Sequence, residues 1–222
     1  YNKGKDKYDV VGKKFSYVYD KDETGFFPRM HSDDPSHIRL YEQWTGLRKG
    51  KRPTFGDNLE FLWKYQLGWM YWRYFNWNFV GRQNDIQGVR GIKDGNWLSG
   101  IGFLDSRRLG PQANLPDYKK NNDSRNTYFF IPLIIGLIGF FYHFKSDRKR
   151  AFAVLVLFAS MGLMLIIYGN SPPIEPRERD YIFAGSFWAF CIFIGLGVIG
   201  IYDFLKNKIN TQPAAFAAIA IA

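Results

Sequence analysis

The sequence predicts an all-α polytopic membrane protein with an aromatic-rich, water-facing region ahead of its membrane helices. The first observation is a change of composition at about Arg125. Before it the chain is polar, charged and aromatic, and after it apolar runs dominate, although apolar residues make up only 46% of the 222-residue sequence. The second observation is that these runs approach the roughly 20 residues that cross a bilayer. The third is that short basic loops separate them, as is typical of multi-pass proteins.

The apolar half predicts a membrane bundle over 127–222, with three complete spans and a truncated fourth. The four runs lie at about 128–144, 151–168, 181–205 and 213–222. The sequence starts without methionine and ends inside an apolar run. We therefore expect an internal fragment of a longer protein.

Charge sets the expected orientation of the spans. The loops at 145–150 and 206–208 are short and basic, and the positive-inside rule assigns such loops to the cytoplasm. Residues 1–126 and 170–180 are then expected to face outward. The first of these outward regions is itself basic, but long domains cross membranes largely regardless of their charge.

The outward region divides into two expected parts. Residues 1–58 form an extramembrane segment, and residues 59–126 hold an aromatic helix followed by an irregular loop. Asp57 and Glu60 have the spacing of a capping box, which predicts that the helix begins there and runs to about Val80. Because tryptophan and tyrosine favour the headgroup zone, we expect this helix to lie in the membrane interface, with a complete span as the alternative.

Two local patterns in the first segment bear on fold and metal binding. The alternation at 15–19 predicts a short strand. Two histidines and two aspartates lie within 31–37, but this spacing is interrupted by Pro35 and is not a recognised set of ligands. A divalent metal is therefore not indicated, and a loop stabilised by Asx-type turns is the preferred interpretation.

Composition narrows the expected partners. The net charge of +10 comes from lysines and arginines scattered among acids, without a recognition motif for nucleic acid. An anionic membrane surface or an anionic lipid-linked ligand explains the charge more simply. The single cysteine, Cys191, lies in an apolar run and predicts a packing role.

Residues 195–200, Gly-Leu-Gly-Val-Ile-Gly, match the dinucleotide-binding pattern letter for letter. That motif requires a strand before it and a helix after it. Here it lies inside an expected span, where small residues allow helices to approach closely. We therefore expect helix packing at this stretch and no nucleotide binding.

One segment concentrates prolines and charges between two apolar runs. This Pro-rich segment, residues 169–181, is expected to be short, stiff and extended, because prolines prevent either flanking helix from continuing. Its charged residues are Glu175, Arg177, Glu178, Arg179 and Asp180. Arginine at a membrane surface is well shaped to bind a phosphate or a carboxylate. The alternative is that the five charges pair with one another and with lipid headgroups.

A second polar cluster follows the aromatic helix. Planar donors and acceptors beside aromatic rings suit carbohydrate or lipid-headgroup binding, although an ordinary solvated loop has the same composition. The side chains singled out here are Trp72, Arg73, Arg82, Asn84 and Asp85.

These stretches resemble a known family. Residues 172–187, together with 71–75, 77–88 and 27–30, are similar to a large bacterial inner-membrane family. That family was long of unknown function and is now grouped with protein O-mannosyltransferase-like glycosyltransferases of the GT-C fold. The resemblance implies transfer of a sugar, mannose in the first instance, from a polyprenyl-phosphate carrier to Ser or Thr of exported proteins on the periplasmic side. The catalytic aspartate that it implies would lie before Tyr1.

Side-chain chemistry suggests roles within that reaction. We expect Arg177 and Arg179 to contact the carrier phosphate, with Glu175 and Asp180 orienting them. We expect the second polar cluster to contact the sugar or the acceptor. The membrane lipid, the lipid-linked sugar and an exported protein acceptor are the expected partners.

Two other classes of function compete with a transferase. A non-catalytic membrane subunit of export or envelope machinery would use the aromatic helix as a docking surface. A transporter or flippase would carry charges within its spans, and the spans here carry almost none.

Overall fold

The computed structural model of the chain describes residues 4–6, 8, 12–16, 18–19, 24–88, 93–174 and 177–206. Within these residues the chain is mostly helical and contains no strand, and Arg82 and Trp97 form an isolated antiparallel bridge. The strand expected at 15–19 is wrong for its described members, which are irregular and exposed. A lone strand has no partner for its backbone hydrogen bonds, so alternation alone is insufficient.

Two helices are long and apolar enough to cross a membrane. The first long helix, Arg148–Gly169, has 22 residues, and the second long helix, Asp180–Lys206, has 27. Both match expected spans. A third apolar helix, α6 (Ile131–Ser146), has 16 residues and is shorter than a typical span. The expected fourth span at 213–222 lies outside the described residues.

A continuous aromatic helix occupies residues 55–79. It consists of α2 (Phe55–Phe61), a π-helical stretch (Leu62–Trp72) and α3 (Arg73–Phe79). The helix was foreseen, but its start was placed too late. Thr54 is the N-cap, and its side chain and that of Asp57 form the capping box.

The aromatic helix packs most of its rings into the core of the protein. Phe75 and Phe79 meet Phe190 of the second long helix at ring-centroid distances of 4.9 and 4.6 Å, and Tyr71 meets Phe183 at 5.2 Å. The buried rings of the helix are Phe61, Tyr65, Tyr71, Tyr74, Phe75, Trp77 and Phe79. The helix is therefore fixed against the membrane-length helices of its own chain.

Small residues allow α6 to pack closely along α9 (Ala184–Lys206), the main part of the second long helix. A methyl group added at Gly139 would overlap the carbonyl oxygen of Phe193, and one at Gly197 would overlap that of Ile135. Residues 195–200 thus lie inside a helix, as expected, and Gly197 serves backbone contact between helices.

Shorter helices precede the apolar helices in the chain: α1 (Pro35–Thr45), α4 (Gly102–Leu109) and α5 (Asp117–Lys120). The irregular loop expected after the aromatic helix therefore contains α4 and α5. Between α7 (Arg148–Ala159) and α8 (Leu165–Gly169) the first long helix includes a π-helical stretch, Ser160–Met164.

A buried arginine, Arg29, connects the first segment of the chain to the first long helix. Arg29 donates hydrogen bonds of 2.7 Å to the carbonyl oxygens of Ile166 and Ile167, at the end of that helix. The same guanidinium donates to the side-chain oxygen of Gln66 at 2.9 and 2.8 Å. Since the last carbonyls of a helix lack partners within it, Arg29 caps the helix and fixes the aromatic helix beside it.

Candidate functional site

A cleft lies where the Pro-rich segment crosses the aromatic helix. Its cavity has a volume of about 50 Å³. This is room for one or two water molecules, so binding of a sugar here requires the segment to move. The lining residues are Leu40, Trp44, Tyr65, Trp69, Met70, Arg73, Tyr74, Gln87, Gly88, Pro173, Ile174 and Glu178. Tyr65 holds the segment in place by donating a hydrogen bond of 2.9 Å to the carbonyl oxygen of Pro172.

The floor of the cleft is the carboxylate of Glu178, which accepts hydrogen bonds from four donor groups. The two terminal nitrogens of Arg73 donate to Glu178 at 3.2 and 2.8 Å. The backbone N–H of Gly88 donates at 2.8 Å, and the hydroxyl of Tyr74 donates to the second oxygen. Bidentate, charge-assisted pairs of this kind are among the stronger hydrogen bonds in proteins.

Arg73 is buried, and its guanidinium donates four hydrogen bonds. Only 3% of its side chain is exposed. Its Nε donates to the carbonyl oxygen of Trp69 at 2.9 Å, and Nη1 donates to that of Gly95 at 2.6 Å. The guanidinium also lies 4.3–4.7 Å from the ring centres of Trp69, Tyr74 and Trp77. Aromatic faces attract a cation, and the neighbouring carboxylate neutralises it.

The electrostatics of the floor favour an ionised Glu178. Burial alone opposes ionisation, but the hydrogen bonds and charge of Arg73 outweigh it, with help from Tyr74 and Gly88. The net result is that the pKa of Glu178 lies below its ordinary value. Burial, with hydrogen bonding to this carboxylate, raises the pKa of the Tyr74 phenol well above its ordinary value, so it remains a donor.

The residues expected to bind the carrier phosphate lie mostly at the rim. Arg177 is exposed, and its guanidinium reaches the Tyr181 hydroxyl at 3.5 Å and lies 5.8 Å from that ring. Arg179 is partly buried, and its backbone N–H donates to the Tyr74 hydroxyl at 3.2 Å. Asp180 begins the 3-10 turn that leads into α9. Glu175 lies outside the described residues.

The charges of the Pro-rich segment do not all pair with one another. Glu178 pairs with Arg73, which lies 105 residues earlier in the sequence. The segment is therefore held in place through Glu178, while Arg177 is exposed.

The residues expected to bind the sugar or acceptor are spread over the neighbouring wall. Arg73 belongs to the floor, and Trp72 is half exposed, with its ring stacked on Phe75 at 5.3 Å. Arg82 lies 4.0 Å from the ring centre of Trp77 and donates to the carbonyl oxygen of Asn84 at 3.1 Å. These contacts show how the loop after the aromatic helix is held against it.

Asn84 and Asp85 both make contacts within the loop region. Asn84 is buried, donates to Asp94 at 3.0 Å and accepts from the backbone N–H of Gly95 at 2.9 Å. Asp85 is exposed and accepts from Asn122 at 2.8 Å. Asn84 therefore organises the loop that supplies Gly95 to Arg73, whereas Asp85 is accessible.

Sequence reasoning missed the roles of Glu178, Tyr74 and Gly88. A signal did exist for Glu178: Arg73 lies in a helix rich in aromatic residues, and a buried arginine needs a counterion. No local pattern indicates which acid supplies the charge.

The histidines at 31–37 contact other groups: His37 hydrogen bonds to Ser32 at 3.0 Å, and the ring of His31 lies against Tyr19. Within the described ranges, no group of three or more His, Cys, Asp or Glu could hold a metal.

The site and fold together define a mainly helical protein with two membrane-length helices and an aromatic cleft beside their ends. A model of a family of unknown function, DUF8416, matches residues 1–63. This match covers α1 and the beginning of the aromatic helix and ends before Arg73 and the Pro-rich segment. No curated protein and no solved structure matches the chain.

Proposed function

We propose that this chain is part of a GT-C-like membrane glycosyltransferase. The reaction is transfer of a sugar, mannose in the first instance, from a polyprenyl-phosphate carrier to Ser or Thr of exported proteins. The resemblance of the Pro-rich segment and of the aromatic helix to such enzymes supports it. The observation that carries the proposal is the exposed guanidinium of Arg177, held beside an aromatic cleft at the start of a membrane-length helix.

The proposed setting is a bacterial inner membrane. In this setting α6 is a third span, a fourth follows at 213–222, and residues 1–126 and 170–180 face the periplasm. The basic stretch at 145–150 supports this orientation, because it contains the tight turn at Asp147 between α6 and the first long helix, at the end away from the cleft.

The chemistry assigned to the rim is support of a leaving phosphate. A polyprenyl tail occupies the hydrocarbon, so its phosphate lies at headgroup depth, where the second long helix begins. Arg177 offers this phosphate a charged donor, and no acid among the described residues forms an ion pair with it as Glu178 does with Arg73. The backbone at Arg179 and Asp180 holds Arg177 in this position. Trp72 and Asp85 are the accessible groups that could contact the sugar or the acceptor.

A non-catalytic subunit that docks partners on the aromatic helix is less well supported. Such a surface needs exposed rings, and most rings of this helix are buried within the chain. Phe55, Trp63 and Trp72 are exceptions, at 51%, 73% and 51% exposed.

The direct test uses the full-length protein in detergent, supplied with radiolabelled polyprenyl-phosphate mannose and a Ser/Thr-rich exported acceptor. We expect label on the acceptor. The contrary result is no transfer from any polyprenyl-phosphate sugar by a protein that melts cooperatively. If such a protein co-purifies with export components, the subunit function replaces the transferase.

A further inference from the structure

A second cavity lies at the opposite end of the helices from the cleft, between the last turns of α6 and α9. Its volume of about 470 Å³ is within the range of small-molecule sites. The lining residues are Tyr142, Lys145, Ser146, Gly200, Asp203 and Phe204. The cavity thus contains an acid, Asp203, and a base, Lys145. A ligand that pairs with both carries one positive and one negative charge.

The acid is placed where a cation is favoured. Asp203 accepts a hydrogen bond of 2.6 Å from the Tyr142 hydroxyl, and the described residues provide no cation within ion-pair distance of it. It lies in the last turn of α9, where the helix dipole disfavours negative charge. A bound cation supplies the missing positive charge and offsets the unfavourable helix dipole.

The base is separate from the acid. Lys145 is exposed in the last turn of α6, and although it lines the same cavity, no ion pair joins it to Asp203. An ammonium is a strongly hydrated point charge suited to a phosphate oxygen. The two side chains therefore offer complementary contacts to a ligand with an ammonium at one end and a phosphate at the other.

Apolar surface continues from the cavity along both helices. Phe141 and Phe204 are 67% and 60% exposed beside it. On the same side of α6 as Phe141, Leu137 and Ile134 are also exposed, one and two turns away. A polar cavity that opens onto an exposed apolar wall fits an amphiphile better than it fits a soluble metabolite.

We propose that this cavity binds the phosphoethanolamine headgroup of a phospholipid. The ammonium donates to Asp203, the phosphate accepts from Lys145, and the acyl chains lie along Phe141 and Phe204. A primary ammonium has three donors for the carboxylate, whereas a choline headgroup has none and a glycerol headgroup has no charge to offer. The proposal requires the helices to cross a membrane and is independent of the transferase activity.

The test is lipid retention by the full chain, measured by native mass spectrometry with phosphatidylethanolamine, phosphatidylcholine and phosphatidylglycerol of identical acyl chains. We expect about tenfold stronger retention of phosphatidylethanolamine, as befits a charge-assisted hydrogen bond. Asp203→Asn should abolish that preference, and Asp123→Asn, at an exposed acid in the outward region, should keep it. Equal retention of the three lipids, or an unchanged preference in Asp203→Asn, overturns the proposal.

Two further measurements separate the parts of the site. Lys145→Gln, at an exposed position, should weaken retention of all three lipids because each carries a phosphate. Unchanged retention in this variant overturns the assigned phosphate contact even if Asp203→Asn fails to fold. Free phosphoethanolamine should not displace the lipid, and displacement at millimolar concentration would identify a soluble ligand instead.

Discussion

The floor and the rim of the cleft both carry arginine, in opposite environments. On the floor, Arg73 is buried, stacked among three rings and neutralised by Glu178. On the rim, Arg177 is exposed, and among the described residues its guanidinium contacts the Tyr181 side chain. The same residue type therefore builds the site in one place and remains available to a ligand in the other.

This comparison separates stability from activity. Removing a partner from the floor leaves a charge in a place that water cannot reach, which is costly to the fold. Removing the rim arginine takes away little contact, so its loss should be seen in turnover. The variants below test that separation, from the largest expected effect on stability to the smallest.

Glu178→Ala should have the largest effect. It leaves the Arg73 guanidinium buried without its carboxylate, which costs about 3–5 kcal/mol of unfolding free energy. The measurement is thermal unfolding of the purified protein in one detergent. The double variant Arg73→Met with Glu178→Leu should recover most of the loss, because no unpaired charge remains. A wild-type melting temperature in Glu178→Ala would show that the floor does not hold the Pro-rich segment.

Tyr74→Phe should have an intermediate effect on the same floor. It removes one donor to Glu178 and the acceptor of the Arg179 N–H, while the ring that stacks on Arg73 remains. We expect a loss of about 1–3 kcal/mol, as is usual for a buried polar group left without its partner. Tyr181→Phe at the rim is the matched control, and it should melt like the wild type. Equal losses in the two variants would erase the distinction between floor and rim.

Acidification should produce the smallest effect. Because the folded pKa of Glu178 lies below its ordinary 4.5, its contribution is complete above pH 4.5 and is lost as the pH falls through the folded pKa. Melting curves from pH 6 to pH 3 should therefore decline more steeply in the wild type than in Glu178→Gln. Parallel curves would contradict the assigned role of this carboxylate.

The sequence alone predicted the structural features that depend on the composition of a single stretch of the chain. The two long helices were foreseen within three residues at each end, because apolar runs of bilayer length are unambiguous. The helical interior of residues 195–200 followed from its apolar surroundings. The start of the aromatic helix was misplaced because Thr54 and Asp57 have the same capping-box spacing as Asp57 and Glu60, and the structure uses the first pair.

Contacts between residues that are far apart in the sequence could not be predicted from local composition. Arg73 and Glu178 lie 105 residues apart, and no local pattern links them. The π-helical stretch Leu62–Trp72 alters which residues share a face, so a 3.6-residue period cannot assign buried and exposed rings within it. The sequence predicted a helix in the membrane interface from its tryptophans and tyrosines. The structure packs this helix against the protein's own helices, and its position relative to a membrane stays a prediction.

The central claim is that the rim arginine acts on a ligand and the floor arginine acts on the fold. Its most direct test is the transfer rate per folded molecule of full-length Arg177→Ala, with Arg148→Ala, at the far end of the first long helix, as the control. We expect a loss of about 100-fold or more in Arg177→Ala at a wild-type melting temperature, and no loss in Arg148→Ala. Wild-type transfer by Arg177→Ala would contradict the claim.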